Sequence, residues 1–273
     1  MPVSPHTTGK ASFDEIYRRP DPRGYYARMA ELNYRIPELA KPYFERQLAE
    51  YRRATGVQTP TVLDICCSYG VNAAILRFGA TMRGLTDYYA AEGDRAAMIH
   101  RDATRLAAAD VGPEVRFVGL DASRPPLDYA RDSGLLHETV HADLENSDPT
   151  PEQRRVLAGV DLVVSTGCVG YITERTLTRV AAADPVRRPW MAHFVLRMYG
   201  FETIAARLAG LGYRTVRAPG LFEQRRFASD DERDQVLNTL AAKGIDSTDC
   251  EADGWLYTHL YLSRPQTESE DPQ

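Results

Sequence analysis

The run Thr61–Cys66, apolar apart from Thr61 and the single carboxylate Asp64, breaks into the turn Cys66–Gly70, and a helical pattern starts at once over Val71–Phe78. A strand, a tight turn and a helix packed back on the strand form the repeating unit of an open α/β sheet, with the turn at the carboxyl edge where ligands bind. Six further apolar runs rich in β-branched or aromatic residues read as strands: Val115–Leu120, Glu138–Ala142, Asp161–Thr166, Trp190–Met198, Tyr213–Arg217 and Trp255–Leu262. Between them Pro126–Leu135, Pro151–Leu157, Thr173–Ala183 and Phe201–Leu211 carry apolar residues at helical spacing, and Thr173 offers a capping hydroxyl. Such alternation predicts a mostly parallel sheet covered on both faces.

At 273 residues the chain can bury one substantial core, and a single domain is expected. Residues 13–58 read as a helical cover, 80–112 and 219–254 as insertions near the site, and the first dozen residues and the tail over 266–273 as mobile. A net charge of −5 argues against a nucleic-acid partner and for a small molecule. The sequence lacks the run of roughly 18 apolar residues that a membrane span needs, and Met1–His6 lacks a signal-peptide core, so a cytoplasmic location is expected. The four cysteines show neither zinc-site nor redox-dithiol spacing, so no metal is expected and buried reduced thiols are.

From Val62 to Gly70 the chain resembles the first motif of class I S-adenosylmethionine-dependent methyltransferases, an acid followed by three alternating glycines. Here those positions hold Cys66, Ser68 and Gly70, so two are non-glycine. The resemblance implies a Rossmann-like, doubly wound, seven-stranded, mostly parallel sheet with an antiparallel terminal strand, a helical N-terminal cover and inserted lid segments. It also implies S-adenosylmethionine as cofactor, with S-adenosylhomocysteine as product. Asp64, Cys66, Ser68, Gly70 and Asn72 then fall at the methionyl part, and Asp121-Ala122 at the ribose, where a carboxylate accepts from both hydroxyls. Asp87 rivals Asp121 for that role. Asp143 and Leu144 resemble the adenine-binding segment, and Ser165, Thr166 and Gly167 the strand that faces the reactive methyl group. In structural terms Asp64 and Asp121 could equally be turn residues, and Asp143 a helix cap.

Methyl transfer from a sulfonium asks the protein mainly to align the acceptor and exclude water. Tyr26, Met29 and Tyr34 of the N-terminal stretch could cover the cofactor or simply fill the core, and Tyr25 is placed on the substrate side. Tyr171 is placed near the reaction centre to orient an acceptor oxygen, and Arg197 and Tyr199 lie at the carboxyl edge of the fifth strand. Arg225 and Arg226 add cations to the substrate side, while His193 reads as a core histidine. An arginine fork matches a carboxylate, which needs no general base, so methylation of a small carboxylic acid to its ester is the first expectation. Methylation of a hydroxyl or an amine is the alternative, with His100 or His137 available as a loop base. An NAD-dependent oxidoreductase and a non-catalytic binding module are the readings from other classes.

Overall fold

The computed structural model describes residues 14–108 and 114–266, so the two terminal stretches and the end of the 80–112 insertion lie outside the described residues. In chain order the elements are α1 (Asp14–Tyr17), α2 (Arg23–Glu31), α3 (Ile36–Thr55), β1 (Thr61–Ile65), α4 (Val71–Phe78), α5 (Met82–Tyr89), α6 (Arg95–Ala108) and β2 (Arg116–Asp121). There follow α7 (Arg124–Asp132), β3 (Glu138–His141), α8 (Pro151–Leu157), β4 (Leu162–Thr166), α9 (Glu174–Ala181), β5 (Trp190–Leu196) and α10 (Glu202–Ala209). The chain closes with β6 (Tyr213–Arg217), β7 (Phe222–Arg226), α11 (Asp230–Ala242) and β8 (Trp255–Pro265).

One sheet runs in the order β3-β2-β1-β4-β5-β8-β6. β8 is antiparallel to all three of its neighbours: β5 on one side, and on the other β6 along its C-terminal half and β7 along its N-terminal half. The other pairings are parallel. The seven expected strands are all present. The eighth, β7, lies in the stretch read as an insertion, because Phe222-Glu223-Gln224-Arg225-Arg226 has neither an apolar run nor period-two alternation.

β1 is covered on both faces, so alternate residues enter different cores. Val62 packs with Phe44 and Ala74 beneath α3 and α4, while Leu63 and Ile65 join Leu157, Leu177 and Leu208 from α8, α9 and α10. Helix starts follow the local chemistry. Thr150 and Gln153 form a reciprocal capping box at α8, and the Thr173 and Ser229 hydroxyls accept the first backbone N–H groups of α9 and α11. α5 packs on α2, and the described part of the inserted segment, residues 80–108, contributes to this N-terminal helical layer without lining the cavity described below.

Candidate functional site

A cavity of about 550 Å³ opens at the carboxyl edge of β1, β2 and β4, within the range of small-molecule sites. Its floor is the turn after β1. Cys66, Ser68 and Gly70 have φ of 55°, 51° and 78°, so all three alternate positions are left-handed. Only glycine adopts that conformation without a steric penalty, and a side chain there costs about 1 kcal/mol. The turn thus keeps its shape although two of its three positions carry side chains, and strain of this kind concentrates at ligand sites.

Asp121 ends β2 beside this turn. Its Oδ2 accepts the Ser68 N–H and its Oδ1 the Ser123 N–H, each at 2.9 Å, and burial raises its pKa against the pull of these bonds. Asp64 lies beneath the cavity, 1 % exposed. Its Oδ1 accepts from Asn72 Nδ2 at 2.9 Å, and the same nitrogen reaches Thr166 Oγ1 at 3.3 Å. Burial pushes the Asp64 carboxyl up to about 7. Three buried polar atoms at this floor, Asp64 Oδ2, Asn72 Oδ1 and Ser68 Oγ, have no partner among the described residues. Buried polar groups are normally paired, so these are positions a polar ligand can fill.

The N-terminal cover forms the opposite wall. Tyr69 Oη donates to the backbone oxygens of Ile16 and Arg19 at 3.2 and 2.8 Å, and Ser123 Oγ donates to Tyr17 O at 2.6 Å. These bonds set Tyr17 and Arg18 over the floor together with Tyr25, Met29 and Tyr34. Tyr34 Oη donates to Thr166 O at 3.1 Å and its pKa is pushed up to about 12 by burial, so the hydroxyl keeps its proton at neutral pH. Cys66 and Cys168 both line the cavity. A hydrogen bond to Cys168 and then burial raise the Cys66 thiol well above its ordinary range. Cys66 is open to solvent through the cavity although protein surrounds it.

Of the residues singled out from sequence, Cys66, Ser68, Asn72, Asp121, Ala122, Thr166, Gly167, Tyr25, Met29, Tyr34, Tyr171 and Arg225 line this cavity. Asp64 supports it from below through Asn72, and Gly70 begins α4. The others lie elsewhere. Tyr26 stacks on Tyr89 with ring centres 4.9 Å apart, so it fills the core. The Asp143 carboxylate is held by its own turn, accepting from the Glu145 and Asn146 backbone and from Asn146 Nδ2, and Leu144 is buried in the second core. Ser165 is buried against His193, whose Nδ1 lies 2.8 Å from the hydroxyl oxygen and whose pKa burial lowers to about 3. His193 is therefore a neutral core residue. Tyr199 packs on Gly170, and Asp87 projects from the exposed face of α5.

The arginines depart most from the sequence reading. Arg197 pairs with Glu251 at 2.6 Å and bonds Asp246 O at 2.6 Å, away from the cavity. Arg226 bonds Asp253 O and lies over Trp255. Arg225 reaches the cavity wall, but its guanidinium is engaged by Glu232 at 2.6 and 2.8 Å, with both side chains buried. The expected carboxylate clamp is therefore a set of structural ion pairs: the strand-edge spacing was visible, but the acidic partners lie 7 and 54 residues further along the chain. Tyr17, Arg18, Ser123 and Gln224 were missed as lining residues. Ser123 directly follows the singled-out Asp121-Ala122, whereas Tyr17 and Gln224 sit in stretches with no readable period.

No protein-family model matches this sequence, and none of the curated proteins is similar to it. Solved structures similar to it include a precorrin-6y C5,15-methyltransferase from Geobacter metallireducens GS-15, at 13 % identity over 80 % of this chain and 86 % of that one, with a TM-score of 0.36. A SAM-dependent methyltransferase from Aquifex aeolicus shares 13 % identity over 92 % of this chain and 97 % of its own, TM-score 0.38. Phosphoethanolamine N-methyltransferase 2 from Haemonchus contortus, solved with phosphomonomethylethanolamine and S-adenosylhomocysteine, shares 12 % identity over 81 % of this chain, TM-score 0.40; the chain spans 53 % of that protein. The mostly parallel sheet and its antiparallel β8 are as the resemblance implied, with β7 as an additional strand. The fold is Rossmann-like, a doubly wound sheet that is parallel apart from the antiparallel β8. Among the described residues no helix is long and apolar enough to cross a membrane.

Proposed function

We propose that this chain is an S-adenosylmethionine-dependent methyltransferase acting on a small molecule. The observation that carries the reading is the turn Cys66–Gly70: it holds three alternate left-handed residues at the carboxyl edge of β1, and Asp121 receives its central N–H.

The residues present fit the cofactor. An ammonium group has donors and no acceptor, which suits the unpartnered Oδ1 of the lining residue Asn72, with the Asp64 carboxyl behind it. Asp121, partly exposed at the cavity, has lone pairs left for ribose hydroxyls beyond its two backbone bonds. Tyr17, Tyr25, Tyr34 and Tyr171 wall the same space, and aromatic faces favour a cation. S-adenosylmethionine supplies a methyl group already activated on a positively charged sulfur. The protein then has to exclude water and fix the acceptor, which the tethered Tyr17–Arg19 segment and the strand-edge turns do. The raised thiol of Cys66 matters here as well. A thiolate beside a sulfonium would itself be methylated, and the hydrogen bond to Cys168 and burial keep this thiol protonated.

With Arg197 and Arg226 outside the cavity and Arg225 held by Glu232, the three arginines that suggested a carboxylic acid acceptor form no clamp, and the hydroxyl or amine alternative is preferred. The test is transfer of labelled methyl from S-adenosylmethionine into a metabolite extract, followed by mass spectrometry. Enzyme-dependent label in a small molecule supports the reading; its absence across extracts from the source cells argues against it.

A further inference from the structure

β7 is the strand the sequence pattern did not announce, and it carries a bulge. Its register against β8 shifts between Glu223 and Arg225, so Gln224 is the irregular residue. A bulge re-aims side chains, and here both Gln224 and Arg225 turn inward, at 1 % and 2 % exposure. The free edge of the strand is tied to the N-terminal cover, with Arg35 N–H donating to Gln224 O at 2.9 Å and Arg226 N–H to Leu32 O at 2.7 Å. Gln224 thus lines the cavity beside Gly167, just past the end of β4.

Its carboxamide nitrogen rests on Gly167, where a Cβ would lie only 1.8 Å from Nε2, and Gly167 has φ of +92°. A side chain at residue 167 would adopt a disfavoured backbone conformation and displace the Gln224 carboxamide from the space it holds. The carboxamide oxygen, Oε1, is buried in the cavity wall without a partner among the described residues. Leaving a buried carbonyl oxygen unpaired costs about 1–3 kcal/mol, a cost that a donor arriving with a ligand removes. An amide oxygen only accepts, so the missing group is a donor.

We propose that Gln224 binds the methyl acceptor and that the acceptor is a small amine, whose N–H donates to Gln224 Oε1. This rests on the methyl-transfer reading above. A neutral amine needs no general base, and the described lining residues beyond the cofactor-facing Asp121 offer none: Asp64 lies beneath Asn72 outside the lining, His193 is enclosed in the core, and the Cys66 thiol and the Tyr34 hydroxyl keep their protons. The amine lone pair forms the new carbon–nitrogen bond as the carbon–sulfur bond breaks, the latter's electron pair stays on sulfur, and the nitrogen releases its extra proton to water. Tyr34 and Tyr171 line the same cavity, and their ring faces favour the cationic nitrogen formed on the way.

The experiment combines labelled transfer into a metabolite extract with calorimetric titration of S-adenosylhomocysteine, on the wild type, Gln224→Met and Gln224→Glu. The expected product is stable to mild base and retained on a cation exchanger. Gln224→Met, which keeps the shape and loses the acceptor, should lower transfer by about tenfold or more, while Gln224→Glu, which keeps an acceptor oxygen, retains most of it. S-adenosylhomocysteine affinity should stay within about twofold in both, as no cofactor contact is altered. A base-labile ester or a neutral ether overturns the amine assignment. Equal losses in both variants, or loss of S-adenosylhomocysteine binding in Gln224→Met, overturn the role of Gln224. If the wild type itself fails to bind S-adenosylhomocysteine, it is the methyltransferase reading that falls.

Discussion

Replacing Asp64 by asparagine should change how the stability of the protein depends on pH. Asp64 is 1 % exposed, one of its oxygens has no partner among the described residues, and burial raises its pKa from 3.8 to about 7. The folded state therefore takes up a proton that the unfolded chain holds only below about pH 4. Below that pH the group is neutral in both states and contributes nothing. As pH rises from about 4 to 7 the unfolded chain gains from ionisation while the fold resists it, and above 7 the full penalty of about 4 kcal/mol applies. Between pH 5 and pH 8 the wild type should lose about 2.5 kcal/mol through this group. The carboxamide of the Asp64→Asn variant cannot ionise, so that component should vanish, and constant costs such as its unpaired amide cancel in the comparison. Urea unfolding of both proteins at pH 5, 6, 7 and 8, followed by tryptophan fluorescence, measures the difference. The advantage of the variant should grow by about 2.5 kcal/mol over this range, or roughly 5–10 °C in Tm. Parallel curves would refute a strained, ionisable Asp64 beneath the cavity, and a widening disadvantage at high pH would show that its charge is already compensated.

Other outcomes follow from the same geometry. Ser68→Gly removes both a left-handed side chain at φ 51° and an unpartnered hydroxyl, and should stabilise the apoprotein by about 1 kcal/mol in denaturant titration. Arg197→Ala leaves the buried Glu251 carboxylate without its partner and should destabilise by about 3–5 kcal/mol while S-adenosylhomocysteine affinity, read by calorimetry, is unchanged. Alkylation of Cys66 by iodoacetamide, followed by peptide mass spectrometry, should be slower than that of free cysteine at pH 8. Its rate should keep rising above pH 9, since the reactive thiolate forms only above the raised pKa.

The parallel half of the sheet was legible because it is buried on both faces and its strands are continuous apolar runs. β1 and β4 match their predicted spans to within a residue at each end, and Val71–Phe78 and Pro151–Leu157 form the helices expected. The place of the turn after β1 was also legible, but its left-handed backbone at Cys66 and Ser68 was not, because side chains disfavour that conformation and only Gly70 announces it. β7 was hidden, since its bulge destroys alternation and its inward residues are a glutamine and an arginine. The arginines were misread for a related reason. Strand-edge position is set by local pattern, but whether a guanidinium is available depends on carboxylates such as Glu251, which only the folded chain brings near. Tyr17 falls in the same class, being carried to the cavity by the distant Tyr69 and Ser123.

The central claim, that the strained turn and Asp121 hold a methyl donor, is tested most directly by calorimetric titration of the wild type and Asp121→Ala with S-adenosylhomocysteine and, separately, with NAD. The account predicts saturable binding of S-adenosylhomocysteine by the wild type, binding weakened by about tenfold or more in Asp121→Ala, and no binding of NAD. Binding of NAD alone, or S-adenosylhomocysteine binding that ignores the loss of Asp121, would contradict it.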